Sequence, residues 1–239
     1  SFTFNVNDLN EVPTNLLVSE STFDENIIAD SVVTTLSSTD PDINDTFTYS
    51  LVSGDGDTDN NAFTVDDNQL KINNSLDYET QDSYSVRLQV QDSGGLTFEK
   101  SFNFTVNDLN EVPTNLLVSE SSFEENTTAD STVATLSSTD PDSSNTFTYS
   151  LVSGSGDNDN SAFTIDGNQL KIKISPDYET QDSYSVRLQT KDSGGLTFEK
   201  SFTLNVNDLN ESPTNLLVSA SSFNENITTA STIASLSTT

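Results

Sequence analysis

The sequence predicts an all-β protein built from tandem antiparallel β-sandwiches. Apolar and polar residues alternate with a period of two along much of the chain, which is typical of half-buried strands. The hexapeptide Val-Asn-Asp-Leu-Asn-Glu occurs at 6–11, 106–111 and 206–211, so the chain repeats with a step of one hundred residues. A repeat of that length can bury a hydrophobic core of its own.

The repeat defines the expected domain organisation. Aligned without gaps, residues 11–110 and 111–210 differ at only 22 of 100 positions. We expect four segments: the end of a preceding repeat at 1–10, two full repeats at 11–110 and 111–210, and the truncated start of a following repeat at 211–239. Each hexapeptide is followed by a stiffening proline, so we expect the chain to enter each domain at one pole and leave at the other, as in a rod.

Seven strands are expected in each full repeat. In the first copy, the alternation and the turn residues predict short strands at 15–19, 31–37, 46–51, 62–65 and 69–72, and longer ones at 83–90 and 96–106. In the sixth strand Tyr84, Val86 and Leu88 share one face, while the glycine-rich stretch 92–95 marks the turn into the last strand. Seven short strands in about a hundred residues indicate a sandwich.

The composition restricts the classes of partner. The chain has 38 acidic and 8 basic residues and a formal net charge of −30, so phosphate backbones and anionic lipid surfaces would be repelled and cations attracted. We therefore expect no nucleic-acid partner and no membrane insertion by this segment. The chain has no cysteine and no histidine, which excludes disulfides, a thiol nucleophile and the commonest zinc ligands.

Side-chain oxygens return at the same positions in both copies while neighbouring acids change. Asp24, for example, becomes Glu124 and then Asn224. The retained set in the first copy is Glu25, Asp40, Asp42, Asp77, Glu79, Asp92, Asp108, Asn110 and Glu111. The set in the second copy is Glu125, Asp140, Asp142, Asp177, Glu179, Asp192, Asp208, Asn210 and Glu211. Retention at fixed positions favours a shared binding role over a merely solvated acidic surface.

Calcium is the ion that this oxygen-rich set suits. It takes six to eight oxygen ligands from carboxylates, amides and backbone carbonyls. Acids two residues apart in an extended chain point to the same side, and a divalent ion relieves the repulsion between them. The segment 55–60 has the acid spacing of an EF-hand start, but it lacks the later Gly and Glu, and Asp55 becomes Ser155. We interpret it as a polar turn.

The order of five motifs resembles the cadherin repeat, in the style of bacterial cadherin-like tandem domains. Glu25-Asn26 is similar to the family's early Glu, and 40–42 (Asp-Pro-Asp) to its Asp-x-Asp. The segment 76–79 (Leu-Asp-Tyr-Glu) is similar to Leu-Asp-Arg-Glu, 92–94 to Asp-x-Gly, and 108–113 to the Asp-x-Asn-Asp-Asn-x-Pro linker. The resemblance implies a seven-stranded Greek-key sandwich with calcium ions between successive domains.

The resemblance also implies which residues share each junction. The middle junction would comprise Glu25, Asp77, Glu79, Asp108, the Leu109 carbonyl, Asn110, Glu111, Asp140, Asp142 and Asp192. The following junction would take Glu125, Asp177, Glu179, Asp208, Asn210 and Glu211 from this sequence. The preceding one would take Asp8, Asn10, Glu11, Asp40, Asp42 and Asp92. Two features depart from the family pattern: Tyr78 replaces its Arg, and the linker is one residue shorter. These departures affect the expected number of ions at each junction, and the outermost ion most of all.

The expected function is mechanical. We interpret the chain as part of a calcium-rigidified extracellular stalk or spacer, from a surface adhesin or fibre, whose partners are calcium ions and the neighbouring repeats. The alternative is a calcium-dependent module that binds carbohydrate or a like domain on another cell. Paired carboxylates also occur in glycosidases, but an acid pair saturated by calcium cannot serve as acid and base. We therefore expect no enzymatic activity.

Overall fold

A computed structural model of the protein describes residues 2–143 and 145–238. Contacts divide the chain into two compact units, Ser1–Val112 with Asp140–Asn145, and Pro113–Thr139 with Thr146–Thr239. The described residues are almost entirely strands and loops, with two single-turn 3-10 helices, Asn60–Ala62 and Asn160–Ala162. None of these described helices is long and apolar enough to cross a membrane.

Eight strands form the sandwich of the first unit. They are β1 (Asn15–Val18), β2 (Thr22–Asp24), β3 (Val32–Thr39), β4 (Thr48–Leu51), β5 (Phe63–Asp66), β6 (Gln69–Ile72), β7 (Ser83–Gln91) and β8 (Thr97–Asn107). One sheet has the order β1-β3-β6-β5 and the other β2-β8-β7-β4. The two long strands β7 and β8 pair antiparallel along their whole length, from Ser83 opposite Thr105 to Gln91 opposite Thr97. The predicted Greek-key sandwich is thereby confirmed.

The core lies between the two sheets. It is formed by alternate residues of the strands, including Leu16, Leu70, Val86, Leu88 and Phe104, each of which is fully buried. The period-two interpretation of β7 is confirmed, because its residues alternate between buried and partly exposed positions. This burial supplies most of the driving force for folding and holds the polar loops at the poles in place.

The structure differs from the predicted strand list at β2. This three-residue strand pairs parallel with β8, with Phe23 opposite Val106, whereas the other pairs in the unit are antiparallel. The segment Ser19-Glu20-Ser21 carries the chain from the edge of one sheet to the edge of the other. A strand of three residues is too short to show alternation, so the sequence pattern did not reveal it. Its position matters, because Glu25 follows directly.

The second unit repeats this arrangement. Its strands are β9 (Asn115–Val118), β10 (Ser122–Glu124), β11 (Thr132–Thr139), β12 (Thr148–Leu151), β13 (Phe163–Asp166), β14 (Gln169–Ile172), β15 (Ser183–Lys191) and β16 (Thr197–Asn207). The sheets have the orders β13-β14-β11-β9 and β10-β16-β15-β12. Two further strands, β17 (Leu216–Val218) and β18 (Leu236–Thr238), pair in the same way as β9 and β11.

The segment 53–62 folds back as a polar turn, as its sequence suggested. The Asp57 carboxylate accepts a hydrogen bond from the Gly54 N–H at 2.9 Å, and that of Asp59 accepts one from Ser85 N–H at 2.7 Å. Arg87 donates to the Asp55 carbonyl at 3.0 Å while pairing with Glu99 at 2.8 Å. The acids at 57 and 59 therefore serve the turn itself.

Candidate metal centres

A dense cluster of carboxylates lies in the first unit. It gathers seven side chains from four stretches of sequence: Glu25, Asp77, Glu79, Asp108, Glu111, Asp140 and Asp142. Oxygens of Glu25, Asp77 and Glu79 lie within 4.8 Å of one another, and so do oxygens of Glu79, Asp108 and Asp142. Glu79 thus connects two groups of three carboxylates. We call this set of seven the central cluster.

Glu25 is the buried anchor of the central cluster. It is only 1% exposed, and its two oxygens accept backbone hydrogen bonds from Tyr78 at 2.9 Å and Leu109 at 2.7 Å. It is placed there because β2 pairs with the end of β8, where the Glu25 N–H donates to the Asn107 carbonyl at 3.2 Å. One side chain therefore joins the 76–80 loop to the start of the hexapeptide.

The hexapeptide at 106–111 is also hydrogen-bonded to the loop 140–145. This loop belongs to the first unit, although it connects β11 and β12. The Glu111 N–H donates to Asp142 Oδ2 at 2.9 Å, and the Asp142 N–H donates to Asp140 Oδ1 at 3.1 Å. The Glu111 carboxylate accepts a hydrogen bond from Asn26 Nδ2 at 2.6 Å. These bonds orient the acids toward one another.

The negative charges of the carboxylates in the central cluster repel one another. Desolvation, together with the charges of Glu25, Glu79 and Asp142, raises the pKa of Glu111 to about 7, even though the bond from Asn26 works in the other direction. Desolvation also raises the pKa values of Glu79, Asp108 and Asp140. Asp77 differs, because a hydrogen bond from the Thr80 hydroxyl lowers its pKa. A cluster of this kind favours a cation or protons.

The donor set fits calcium. Two buried oxygens, Glu111 Oε2 and Asp140 Oδ2, have no hydrogen-bond partner among the described residues. Buried polar atoms are otherwise almost always paired, so such atoms call for an ion or a water. All of the side chains in the central cluster offer hard oxygen ligands, which calcium prefers and which soft metals do not.

A second cluster occupies the other pole of the first unit. Oxygens of Asp8, Glu11 and Asp42 lie within 4.8 Å, as do those of Asp40, Asp42 and Asp45. Glu11 N–H donates to Asp42 at 2.8 Å, and Asn10 Nδ2 donates to the buried Asp92 at 3.0 Å. Of the six residues predicted here, Asp8, Glu11, Asp40 and Asp42 are joined through these contacts. Asn10, with its partner Asp92, is linked to them by its bond to the Glu11 carbonyl.

Gly94 makes room for Asn10, and this leads to a testable expectation. A Cβ at residue 94 would lie 2.0 Å from Asn10 Oδ1. Gly94→Ala should therefore displace Asn10 and weaken the calcium binding that the sequence predicts at this pole by about tenfold, with the unfolding free energy in chelator changed by no more than about 0.5 kcal/mol. Calorimetric titration of the full chain with calcium measures the affinity, and urea unfolding in chelator measures the stability. Asn10→Ala and the double variant should match Gly94→Ala, whereas additive losses would contradict this explanation.

The second unit contains the third cluster. Glu125, also 1% exposed, accepts hydrogen bonds from Tyr178 at 3.0 Å and Leu209 at 2.6 Å. Its oxygens lie within 4.8 Å of those of Glu179 and Asp208. Asp177 is bonded to Thr180, and Glu211 to Asn126 Nδ2 at 2.8 Å. Asp177, Glu179, Asp208, Asn210 and Glu211 line one cleft of about 620 Å³.

Some predicted residues have other immediate partners. Asp192 lies in the second unit, where its carboxylate accepts hydrogen bonds from Gly195 N–H at 2.5 Å and Leu196 N–H at 2.8 Å. Asn110 donates to the Glu111 carbonyl at 3.2 Å. The N–H of Leu109 donates a hydrogen bond to Glu25. The role of the Leu109 carbonyl as a metal ligand remains a prediction.

The predictions from the sequence missed two kinds of residue in these clusters, an asparagine that recurs in both repeats and an aspartate of the first repeat. Asn26 and Asn126 hold Glu111 and Glu211, and both adopt a left-handed φ of 59°. Asn tolerates that conformation better than most residues, so the Glu-Asn pair present in all three copies was the available signal. The other is Asp45, which joins Asp40 and Asp42, and its replacement by Asn145 in the second copy concealed it.

The fold and the clusters define a class: tandem β-sandwich domains with oxygen-rich sites at their poles. The family model of the Cadherin domain matches residues 19–107 and 119–207, so the chain belongs to the cadherin family. The chain is 31% identical to human Protocadherin Fat 4 over 225 residues, covering 87% of this chain and 4% of that protein. It is 29% identical to chimpanzee Protocadherin gamma-A11 over 79% of this chain and 21% of that protein.

Solved structures agree on the fold. The extracellular domain of Protocadherin GammaB4 has a TM-score of 0.65 at 24% identity, over 98% of this chain and 39% of that one. Human Protocadherin-24 EC1-2 has a TM-score of 0.64 at 20% identity, over 83% of this chain and all (100%) of that one. The family model and the relatives confirm the cadherin resemblance. Its narrower form, a bacterial type of repeat, is not supported, because these named relatives are vertebrate protocadherins.

Proposed function

We propose that the three carboxylate clusters bind calcium and that the bound ions make this chain a stiff spacer in an extracellular adhesion protein. The observation that carries the proposal is the central cluster, where two sets of three carboxylates share Glu79 and two buried oxygens have no partner among the described residues. The membership of the chain in a family of adhesion proteins supports it.

The chain topology explains how an ion would act mechanically. Residues 140–145 belong to the first unit by their contacts, but they connect β11 and β12 of the second. An ion held by Asp108 and Asp142 would therefore restrain the linker and that loop together. Part of the free energy of binding would hold these segments together, because one ion can be coordinated by both only when their carboxylates lie close to each other.

The ligands are assigned to this chain by position. Glu25, Asp77, Glu79, Asp108, Asn110, Glu111, Asp140, Asp142 and Asp192 with the Leu109 carbonyl would serve the middle site. The equivalent residues around Glu125 and around Asp42 would serve the following and preceding ones. Affinities of about 10⁻⁴–10⁻³ M, usual for extracellular modules, would keep such sites filled outside cells. We infer an extracellular location and no catalytic role.

Small-angle scattering of the full chain tests the proposal. With millimolar calcium the scattering should report an extended, stiff particle, and addition of chelator should increase its flexibility and change its maximum dimension. Asp142→Asn should largely abolish this response, because it removes a carboxylate from the central cluster. Asp130→Asn is the matched control, since Asp130 is exposed and belongs to none of the clusters. Identical curves with calcium and with chelator would refute the proposal.

A further inference from the structure

The first unit contains a cleft of about 360 Å³, and none of its lining residues is assigned to calcium. It is lined by Phe47, Thr48, Tyr49, Asp67 and Asn68. Three of these residues belong to or precede β4, the edge strand of one sheet. The other two form the turn between β5 and β6, where β5 is the edge strand of the other sheet. The cleft therefore lies where the open edges of the two sheets face each other.

Two aromatic side chains form the apolar part of the cleft. Phe47 and Tyr49 are partly buried, and both pack against the hydrophobic core of the first unit. Their rings are thus held in place by the core while part of each remains accessible. Rigid, partly exposed rings offer a flat apolar surface at little cost in conformational entropy.

Polar groups lie beside these rings. Among the described residues, no hydrogen bond engages the Asp67 carboxylate or the Tyr49 hydroxyl. The Asn68 amide and the Thr48 hydroxyl make only long bonds of 3.5 Å each, to the carbonyls of Leu36 and Gln91. A carboxylate, an amide and two hydroxyls can therefore all bind a ligand without disrupting the fold.

The Asp67 position is informative because the second repeat differs there. Asp67 occupies a two-residue hairpin turn with a left-handed φ of 52°, and the second repeat has Gly167 at φ +61°. Glycine suits this conformation better than aspartate. The first repeat thus carries a carboxylate where the backbone alone would favour glycine, while Phe147, Thr148, Tyr149 and Asn168 retain the rest of the set.

We propose that this cleft is a binding site for a neutral saccharide, specific to the first repeat. The C–H face of a pyranose ring would lie on Phe47 and Tyr49. Its adjacent hydroxyls would donate to Asp67 and exchange hydrogen bonds with Asn68. The volume falls in the range of about 300–1,000 Å³ that small-molecule sites occupy. The Asp67 carboxylate and the net charge of −30 disfavour anionic sugars.

Heteronuclear NMR of the full 239-residue chain in calcium buffer tests this site. The probes are neutral oligosaccharides (gluco-, manno-, galacto- and chito-trioses), with sialyllactose as the anionic control and a lysine peptide as the cationic one. At least one neutral probe should give saturable shifts at residues 47–49 and 67–68. Residues 147–149 and 167–168 should not respond.

Substitution at the turn distinguishes the two repeats. Asp67→Gly copies the second repeat, so it should keep the fold. It should reduce the shifts at 47–49 to the background level expected at 147–149, because a charge-assisted hydrogen bond is lost and binding weakens by at least about tenfold. Gly167→Asp should create a second set of shifts at 147–149. The exposed Asp130→Asn should leave both unchanged. The proposal fails if no neutral probe binds, if the charged probes bind instead, if Asp67→Gly has no effect, or if both repeats of the wild type respond.

Discussion

Replacing Glu25 by alanine is expected to destabilise the first repeat by about 2–4 kcal/mol in chelator and to remove a metal ligand as well. The carboxylate is 1% exposed and accepts two backbone hydrogen bonds, from Tyr78 and Leu109. Without it both N–H groups, which lie in partly buried hydrogen bonds, lose their acceptor. The loss costs up to about 1–3 kcal/mol each, offset in part by relief of repulsion between carboxylates.

Hydrogen exchange followed by mass spectrometry localises this effect. In Glu25→Ala, protection should fall in peptides from 83–107 and remain at the wild-type level in those from 183–207 of the same molecule. The peptides compared must include 90–91 or 103–105, where the two repeats differ in sequence. Glu125→Ala should show the reverse pattern. Glu20→Ala is the matched control, because Glu20 is exposed and the third copy has Ala220 at that position. Equal loss of protection in both segments would mean that Glu25 does not act locally.

Replacing Glu111 by glutamine is expected to stabilise the calcium-free protein at high pH and weaken calcium binding at all pH values. The pKa of Glu111 is raised from 4.5 to about 7 in the folded chain, chiefly by desolvation and then by neighbouring carboxylates. Between these values the folded state binds more protons than the unfolded state. Its stability therefore falls as pH rises from about 4.5 to 7.

The size of the expected stabilisation follows from the shift in the pKa of Glu111. Each pKa unit corresponds to about 1.4 kcal/mol, and partial exposure reduces the total, so Glu111→Gln should gain on the order of 1–3 kcal/mol at pH 8 in chelator. At pH 4 the gain should vanish. Urea unfolding at both pH values measures the difference, with the exposed Glu120→Gln as control. In calcium the order should reverse, since the amide is a weaker ligand, and a variant that stays more stable in saturating calcium would contradict this.

Most of the fold could be predicted from the sequence. Alternation at period two located the seven main strands of the first repeat, because one face of each strand must be buried and the other hydrated. β2 was missed because a strand of three residues is too short to show an alternating pattern. The predicted strand at 46–51 begins at Thr48 instead, which leaves Phe47 outside the strand at the mouth of the proposed saccharide cleft.

Less of the candidate site could be predicted. Recurrence of acids between copies identified the members of the central cluster, but it could not reveal which of them are buried. Glu25 and Glu111 have identical acid chemistry, yet one is fixed by two backbone N–H groups and the other has a buried oxygen without a partner among the described residues. This difference in hydrogen bonding depends on how loops distant in sequence pack together. It therefore cannot be predicted from a local sequence pattern.

The repeat, the all-β class and the oxygen chemistry of the sites could be predicted from the sequence, because periodicity and residue type are local properties of the chain. The partners of these residues became visible only in the folded chain, where Glu25 meets Leu109, Asn26 meets Glu111, and Asp142 meets Glu111 of the hexapeptide. For the first two pairs this follows from the parallel pairing of β2 with β8. This short contact brings residues more than eighty positions apart within hydrogen-bonding distance and gives the carboxylates their common centre.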